Sequence, residues 1–275
     1  MPATRAVPRT PPPPPPALRS LRPASTRTRK AFIHLILLAL PAADAQDPPP
    51  DLIREVVAKA AEFKAARDQY TYRQTVLFLE LDPRGAEVGR YREVRDIIFN
   101  PQKERTEVLL GRPLSAFKNL RLTEEDFRDI REVKPFVLTR EDIAHYSIKY
   151  MGREPMDEHD CYVYQLKPRQ LLDGLRLFEG RVWISATERQ IVRAEGRPVP
   201  QIYREKGENL FPYFTTLYRP IDGQFWFPIR TFADDTLPFR SGPQRVRITV
   251  QYDDYKRFTA EATFTPLPDA PKPRP

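Results

Sequence analysis

From Tyr70 onward the apolar residues recur at every second position, and with one interruption this spacing runs to Phe258. A period of two places successive side chains on opposite faces of an extended chain, so it is a strand signal. Ten such runs are legible: residues 70–80, 91–99, 104–110, 147–152, 161–167, 178–185, 190–196, 213–219, 224–234 and 245–258. The connections are short and rich in turn residues, as in Asp82-Pro83-Arg84-Gly85, Ile221-Asp222-Gly223 and Ser241-Gly242-Pro243, whereas parallel strands need helical crossovers. The expected architecture is therefore an antiparallel meander. In the last run Val246, Ile248, Val250 and Tyr252 alternate with Arg245, Arg247, Thr249 and Gln251, which predicts one dry face and one wet face.

Before the strands, Ile53, Val56, Val57, Ala60, Phe63 and Tyr70 follow the 3.6-residue spacing of one amphipathic helix that Asp51 can cap. Between the third and fourth runs, Thr123-Glu124-Glu125-Asp126 and Thr139-Arg140-Glu141-Asp142 each put a hydroxyl ahead of acids, as a helix start does. Residues 114–146 are thus expected as a short helical insertion.

The chain of 275 residues has a net charge of +8, and residues 1–45 alone carry +6 of it. That segment combines arginines, the run Pro11 to Pro16, a basic pair Arg29-Lys30, an apolar stretch from Ala31 to Ala42 and the small residues of Ala43-Asp44-Ala45. The apolar stretch is shorter than the ~20 residues of a membrane-spanning helix, and the order of features is that of a cleaved signal peptide. The expected organisation is a signal peptide over 1–45, a linker over 46–50, one domain over 51–265 and a proline-rich tail over 266–275. Secretion to the periplasm follows, with no transmembrane span in the mature chain. A body carrying only +2 lacks the dense basic surface that phosphate recognition needs, so no nucleic acid is expected as a partner. Its length suffices for one core that buries roughly 70% of the unfolded surface.

Catalytic and metal-binding patterns are missing. The mature chain has two histidines, His145 and His159, and one cysteine, Cys161. Asp157-Glu158-His159-Asp160 is the densest cluster of potential ligands, but it falls at a turn between strands, where charges are simply solvated. Cys161 opens a strand of Tyr and Val and reads as a small buried thiol. Asp234-Asp235 and Asp253-Asp254 are neighbours that a strand points to opposite faces, so neither pair can share a proton. No nucleophile elbow, phosphate loop or zinc motif occurs. No cofactor, metal or enzyme activity is expected.

Four stretches carry a resemblance: Tyr146-Ser147-Ile148-Lys149-Tyr150-Met151-Gly152 running on to Cys161-Tyr162-Val163-Tyr164; Gly180-Arg181-Val182-Trp183-Ile184; Ile221-Asp222-Gly223-Gln224-Phe225-Trp226-Phe227-Pro228; and Phe264-Thr265-Pro266. In these, and in the order of leader, helix, sheet and helical interruption, residues 51–266 resemble the LolA-like family of outer-membrane lipoprotein-sorting proteins. The resemblance implies a mainly β fold, an antiparallel half-open barrel of about ten strands. An N-terminal helix and a short helical insertion would cover a concave face that holds acyl chains of lipids or lipoproteins. It also implies a latching arginine in an Arg-Pro stretch, for which Arg112-Pro113 is the nearby match, although that pair leads toward the insertion. The apolar bulk of the strands is compatible with such a cavity, and Val76, Phe78, Ile97, Phe99, Tyr162, Tyr164, Trp183, Trp226 and Phe232 are its expected lining. The same side chains would equally fill an ordinary core. The chain then becomes an envelope interaction module that binds protein on its sheet surface. A monomer is expected in either case.

Overall fold

The computed structural model describes residues 47–67, 69–99, 105–121, 126, 138–172, 175–204 and 207–257. The expected leader, the proline-rich tail and most of the helical insertion, including its first cap at Thr123, lie outside them.

The N-terminal helix α1 spans Leu52–Arg67 and buries Leu52, Val56, Val57, Ala60, Phe63 and Ala66, one stripe at helical spacing. Glu55 in its first turn and Lys64 and Arg67 in its last complement the helix dipole. Tyr70, counted above with both the helix and the first strand, opens the strand, where it pairs with Arg257.

Thirteen strands follow: β1 (Tyr70–Leu81), β2 (Glu87–Phe99), β3 (Arg105–Leu109), β4 (Leu114–Ala116), β5 (Tyr146–Met156), β6 (His159–Pro168), β7 (Leu177–Ser185), β8 (Ile191–Val199), β9 (Ile202–Arg204), β10 (Gly207–Asn209), β11 (Phe214–Ile221), β12 (Phe225–Phe239) and β13 (Gly242–Arg257). Eleven form one antiparallel sheet in the order β3-β2-β1-β13-β12-β11-β8-β7-β6-β5, with β4 also paired to β2; β9 and β10 make a separate ribbon. All ten expected strands are present. The simple meander is not, because β1 lies between β2 and β13, so the first and last long strands are neighbours.

The sheet does not close. Its edges are β3 and β5, which makes it a half-open barrel. The β5 edge is blunted by a register shift between Tyr150 and Gly152 and by Pro155. At the β1–β2 turn, Asp82 Oδ1 accepts the amides of Arg84 and Ala86 at 2.9 and 2.8 Å, and Gly85 supplies φ +84°. Gly180 and Gly196 are cross-strand partners, and a Cβ on either would come within 2.7 Å of the Phe178 ring. Glycine there lets that ring lie against the sheet.

The insertion differs from expectation. Its start, Leu114–Ala116, is a strand against Arg90–Arg92 of β2. The second expected helix is a single 3-10 turn, Ile143–His145. Thr139 Oγ1 does accept the Asp142 amide at 3.2 Å, but Tyr146 is already extended and pairs with Pro168, which ends the turn.

Candidate functional site

Residues directly opposite one another on paired strands share a face. One row runs Glu93, Val76, Val250, Thr231, Thr216, Ala194, Val182 and Tyr164 across eight strands. Tyr218, two residues beyond Thr216, shares this inner face, and α1 lies against it. Val56, Ala60 and Phe63 of α1, with Leu138, Gln190, Ile191, Tyr218 and Trp226, enclose a cavity of about 30 Å³. That volume holds about one water molecule. With α1 packed on the sheet, a pocket of that size is too small for an acyl chain.

Few polar contacts hold α1 down. Lys59 Nζ donates to the Glu188 carbonyl at 2.6 Å, and Glu55 approaches Arg189 at 4.0 Å, both at the β7–β8 turn. Apolar contact also holds α1. Phe63 meets Phe227 edge-on, with ring centroids 5.0 Å apart, and Leu52, Val56 and Val57 join the core cluster of β6, β7 and β8. His159 packs edge-on against Trp226 at 5.4 Å, behind the cavity wall.

The nine expected lining residues separate. Trp226 lines the cavity. Tyr162 and Tyr164 face the same side in the cluster under the N-terminal half of α1, beside Tyr150. Val76 and Phe78 also face inward, but they pack in a second cluster with Tyr91, Val246, Val250 and Tyr252. Ile97 and Phe99 are buried on the same face of β2, Ile97 opposite Tyr72.

Trp183, buried in the same core cluster, and Phe232 lie out of phase with the inner row. Trp183 pairs with Val163 and Arg193, one residue out of phase with the Tyr164–Val182–Ala194 row. Its ring is covered by the guanidinium groups of Arg181 and Arg193, each 4.9 Å from the centroid, and its Nε1 donates to Glu154 at 3.0 Å. Phe232, opposite Thr215 and Thr249, is 37% exposed beneath Arg230. The helix side of the seam, with Leu138, Gln190, Ile191 and Tyr218, was missed. The apolar stripe of α1 was the available signal for half of it.

Across β1, β2, β11, β12 and β13 buried polar residues interrupt the apolar inner face. Gln74, Glu93, Arg95, Thr216 and Thr231 are buried there with Tyr252. Arg95 is ion-paired with Glu93 and Glu107, Tyr91 donates to Glu93 at 2.5 Å, and the hydroxyls of Thr216 and Thr231 are 2.8 Å apart. The Tyr252 hydroxyl is within hydrogen-bonding reach of the side chains of Thr231 and Gln74. Burial raises the ionisation of Tyr218 and Tyr252 well above the ordinary phenol range.

The remaining chemical candidates are structural. Cys161 is fully buried, and burial, then the neighbouring Asp160, Asp157 and Glu154, push its thiol up to about 12. Asp157 sits in the β5–β6 turn at φ +51°, and Asp160 is ion-paired with Arg153. Among the described residues no three His, Cys, Asp or Glu side chains converge to hold a metal, and no helix is long and apolar enough to cross a membrane. Asp234 pairs with Arg245 and Arg247 on the outer face, whereas Asp235 accepts the Tyr213 amide, so these two acids do diverge.

The sequence matches no family model and no curated protein. Among solved structures it is similar to a LolA superfamily protein from Nitrosomonas europaea, at 17% identity and a TM-score of 0.36 over 75% of this chain and 94% of that one. A DUF1329 family protein from Desulfovibrio piger is 12% identical with a TM-score of 0.37, over 78% and 96%. An outer-membrane lipoprotein-sorting protein domain from Vibrio parahaemolyticus is 13% identical with a TM-score of 0.34, over 76% and 94%. The open antiparallel sheet with α1 packed on it stands on this chain's own geometry.

Proposed function

We propose that the chain is a periplasmic binding protein, released by cleavage after Ala45, that takes an acyl chain of a lipid or lipoprotein between α1 and the inner face of the sheet. It would act as a carrier or sensor, without a catalytic step or a cofactor. The observation that supports this reading is the seam itself: an apolar helix stripe on an apolar stretch of sheet, with a residual pocket between them. An acyl chain can replace α1 against Ile191, Tyr218 and Trp226, contributing about 0.8 kcal/mol per buried CH₂. Exposing the stripe of α1 offsets part of that gain. Affinity is then set by the difference between two similar apolar contacts, which suits reversible loading.

The test is a lipid census of protein purified from its own envelope, together with titration of stripped protein by decanoate and by a detergent monomer, followed by tryptophan emission. Co-purifying acyl species and a saturable response are expected. A folded protein that carries no lipid and responds to none would overturn the reading.

A second reading, a protein-binding module, draws on a different observation. Every residue of the edge strand β3 is exposed, and Val108, Leu109, Leu110 and Leu114 form an apolar margin there. Crosslinking in the envelope that maps to β3, from protein that carries no lipid, would favour it.

A further inference from the structure

The side of the sheet out of phase with the inner row has a charge of its own. Its central row starts Arg92, Leu77, Thr249, Phe232, Thr215 and Glu195 and continues through Arg181 to Lys149 on β5. In this row and the two beside it, β2, β13 and β12 present Arg90, Arg92, Arg247 and Arg230. On the same three rows β8, β7, β6 and β5 present Arg193, Arg197, Arg181, Lys167 and Lys149. All of these cations except Arg193 are exposed. The acids there are Asp234, Glu179 and Glu195. Nine cations against three acids put +6 on one face of a body whose whole charge over residues 46–275 is +2.

Local pairing leaves part of that charge over. Asp234 is held by Arg245 and Arg247, Glu195 by Arg181 and Arg193, and Glu179 stands 3.9 Å from Lys167. Arg90 pairs with Glu87 near the start of β2. Arg92, Arg197, Arg230 and Lys149 remain, and none of them is ion-paired among the described residues. Seven of the nine cations are arginines, whose planar guanidinium gives two parallel donors to two oxygens of one phosphate. Exposed Phe232, under Arg230, and half-buried Leu77 and Leu79 stand among them, apolar groups that a headgroup layer can cover. At about 4.8 Å between strands, the cations are spread across roughly 40 Å of sheet. A folded acidic protein must match so broad a field group by group, whereas the headgroups of a fluid bilayer move to each cation.

We infer that this face docks the protein on an anionic phospholipid bilayer, with guanidinium groups on lipid phosphates and Phe232 at the headgroup boundary. The attraction is a sum over many exposed charges and needs no single pocket. It is independent of the acyl-chain reading, which concerns the other face of the sheet.

Flotation of protein purified from its own envelope tests this, with vesicles of phosphatidylglycerol and phosphatidylcholine, one part to three, and with phosphatidylcholine alone. Binding to the anionic vesicles at about 0.1 M salt is expected to be at least about tenfold tighter than to phosphatidylcholine, and to be lost at about 0.5 M. Arg92→Gln combined with Arg230→Gln should weaken it about tenfold. Lys64→Gln combined with Lys118→Gln, which removes two exposed cations that lie off these rows, should change it by less than about threefold. Arg92→Lys combined with Arg230→Lys should keep most of the binding, which separates charge from fold, and circular dichroism checks each variant. Equal binding to both vesicles, binding that survives high salt, or equal losses from the two glutamine pairs would overturn the inference. So would an absence of vesicle binding, including one in which this face crosslinks to an acidic envelope protein instead. Decanoate titration of the stripped variants should match that of the unsubstituted protein, so failure on vesicles leaves the acyl-chain reading standing.

Discussion

The buried carboxylate of Glu80 on β1 accepts the backbone amide of Lys118 at 2.8 Å, across 38 residues of sequence. The same carboxylate takes the amide of Asn119 at 3.0 Å and is bonded by its side chain, which fastens the segment after β4 over the inner face. Phe117 packs edge-on against Phe78 at 5.2 Å as a result. Opposite Glu80, Gly89 leaves room for this: a Cβ there would lie 2.8 Å from Glu80 Oε2 and 2.9 Å from the Ala116 carbonyl.

Glu80→Ala should therefore cost about 2–3 kcal/mol in chemical denaturation, because two backbone amides lose a charged acceptor. Glu80→Gln, which keeps an acceptor of the same length, should cost less. Hydrogen exchange at Lys118 and Asn119 should rise in both variants, and unchanged exchange would show that other contacts hold the segment.

The two tryptophans should behave oppositely. Trp226 lines the seam, and Trp183 lies under two arginines on the other face. Trp226→Phe should abolish any emission change on ligand addition, and Trp183→Phe should preserve it. Phe232→Asp, on the exposed outer face, should fold normally and leave ligand affinity within twofold; a large loss of binding would contradict the face assignment.

Cys161 should resist thiol reagents in the native protein and react on unfolding. Its ionisation is raised from 9.0 to about 12 in the fold, so the folded state holds the proton more tightly than the unfolded chain. Its contribution is complete below about pH 9 and is lost as pH rises toward 12. Tyr164, raised to about 12 by burial and then by Tyr150 and Tyr162, acts in the same direction from about pH 10. The denaturation midpoint should accordingly fall across pH 9–12, and Cys161→Ala should flatten the lower part of that decline.

Asp234 gives the acid counterpart. Hydrogen bonds from Arg247 and then Arg245 lower its ionisation below the ordinary 3.8, so its contribution is present above that value and disappears as pH falls through the folded one. The carboxylate is 38% exposed, so solvent screening limits the effect to about 0.5 kcal/mol. Asp234→Asn should be destabilising by that amount at pH 7 and neutral at pH 2.

Ten strands were legible because each is five or more residues long, whereas β4, β9 and β10 are three residues long and hold too little period to detect. β12 runs on to Phe239 through Pro238, a residue that usually marks a strand end. Face was harder to read than strand. Alternation within β6 separates Tyr162 and Tyr164 from Val163, but whether Trp183 joins the tyrosines or the valine depends on how β7 registers against β6. A shift of one residue reverses the answer. The pairing of β1 with β13 was invisible for the same reason: it joins Tyr70 to Arg257, and no local pattern records a contact at that separation.

That pairing also governs when the molecule can come into being. Until β13 is available, β1 to β4 and β5 to β12 are two ribbons with no backbone ladder between them, since β13 alone is bonded to both β1 and β12. Ordering β13 closes a loop of nearly the whole described chain at once, a slow, late event of high contact order. Without β13, the strands β1 and β12 would each present an unpaired edge, so that one late strand covers two edges at once.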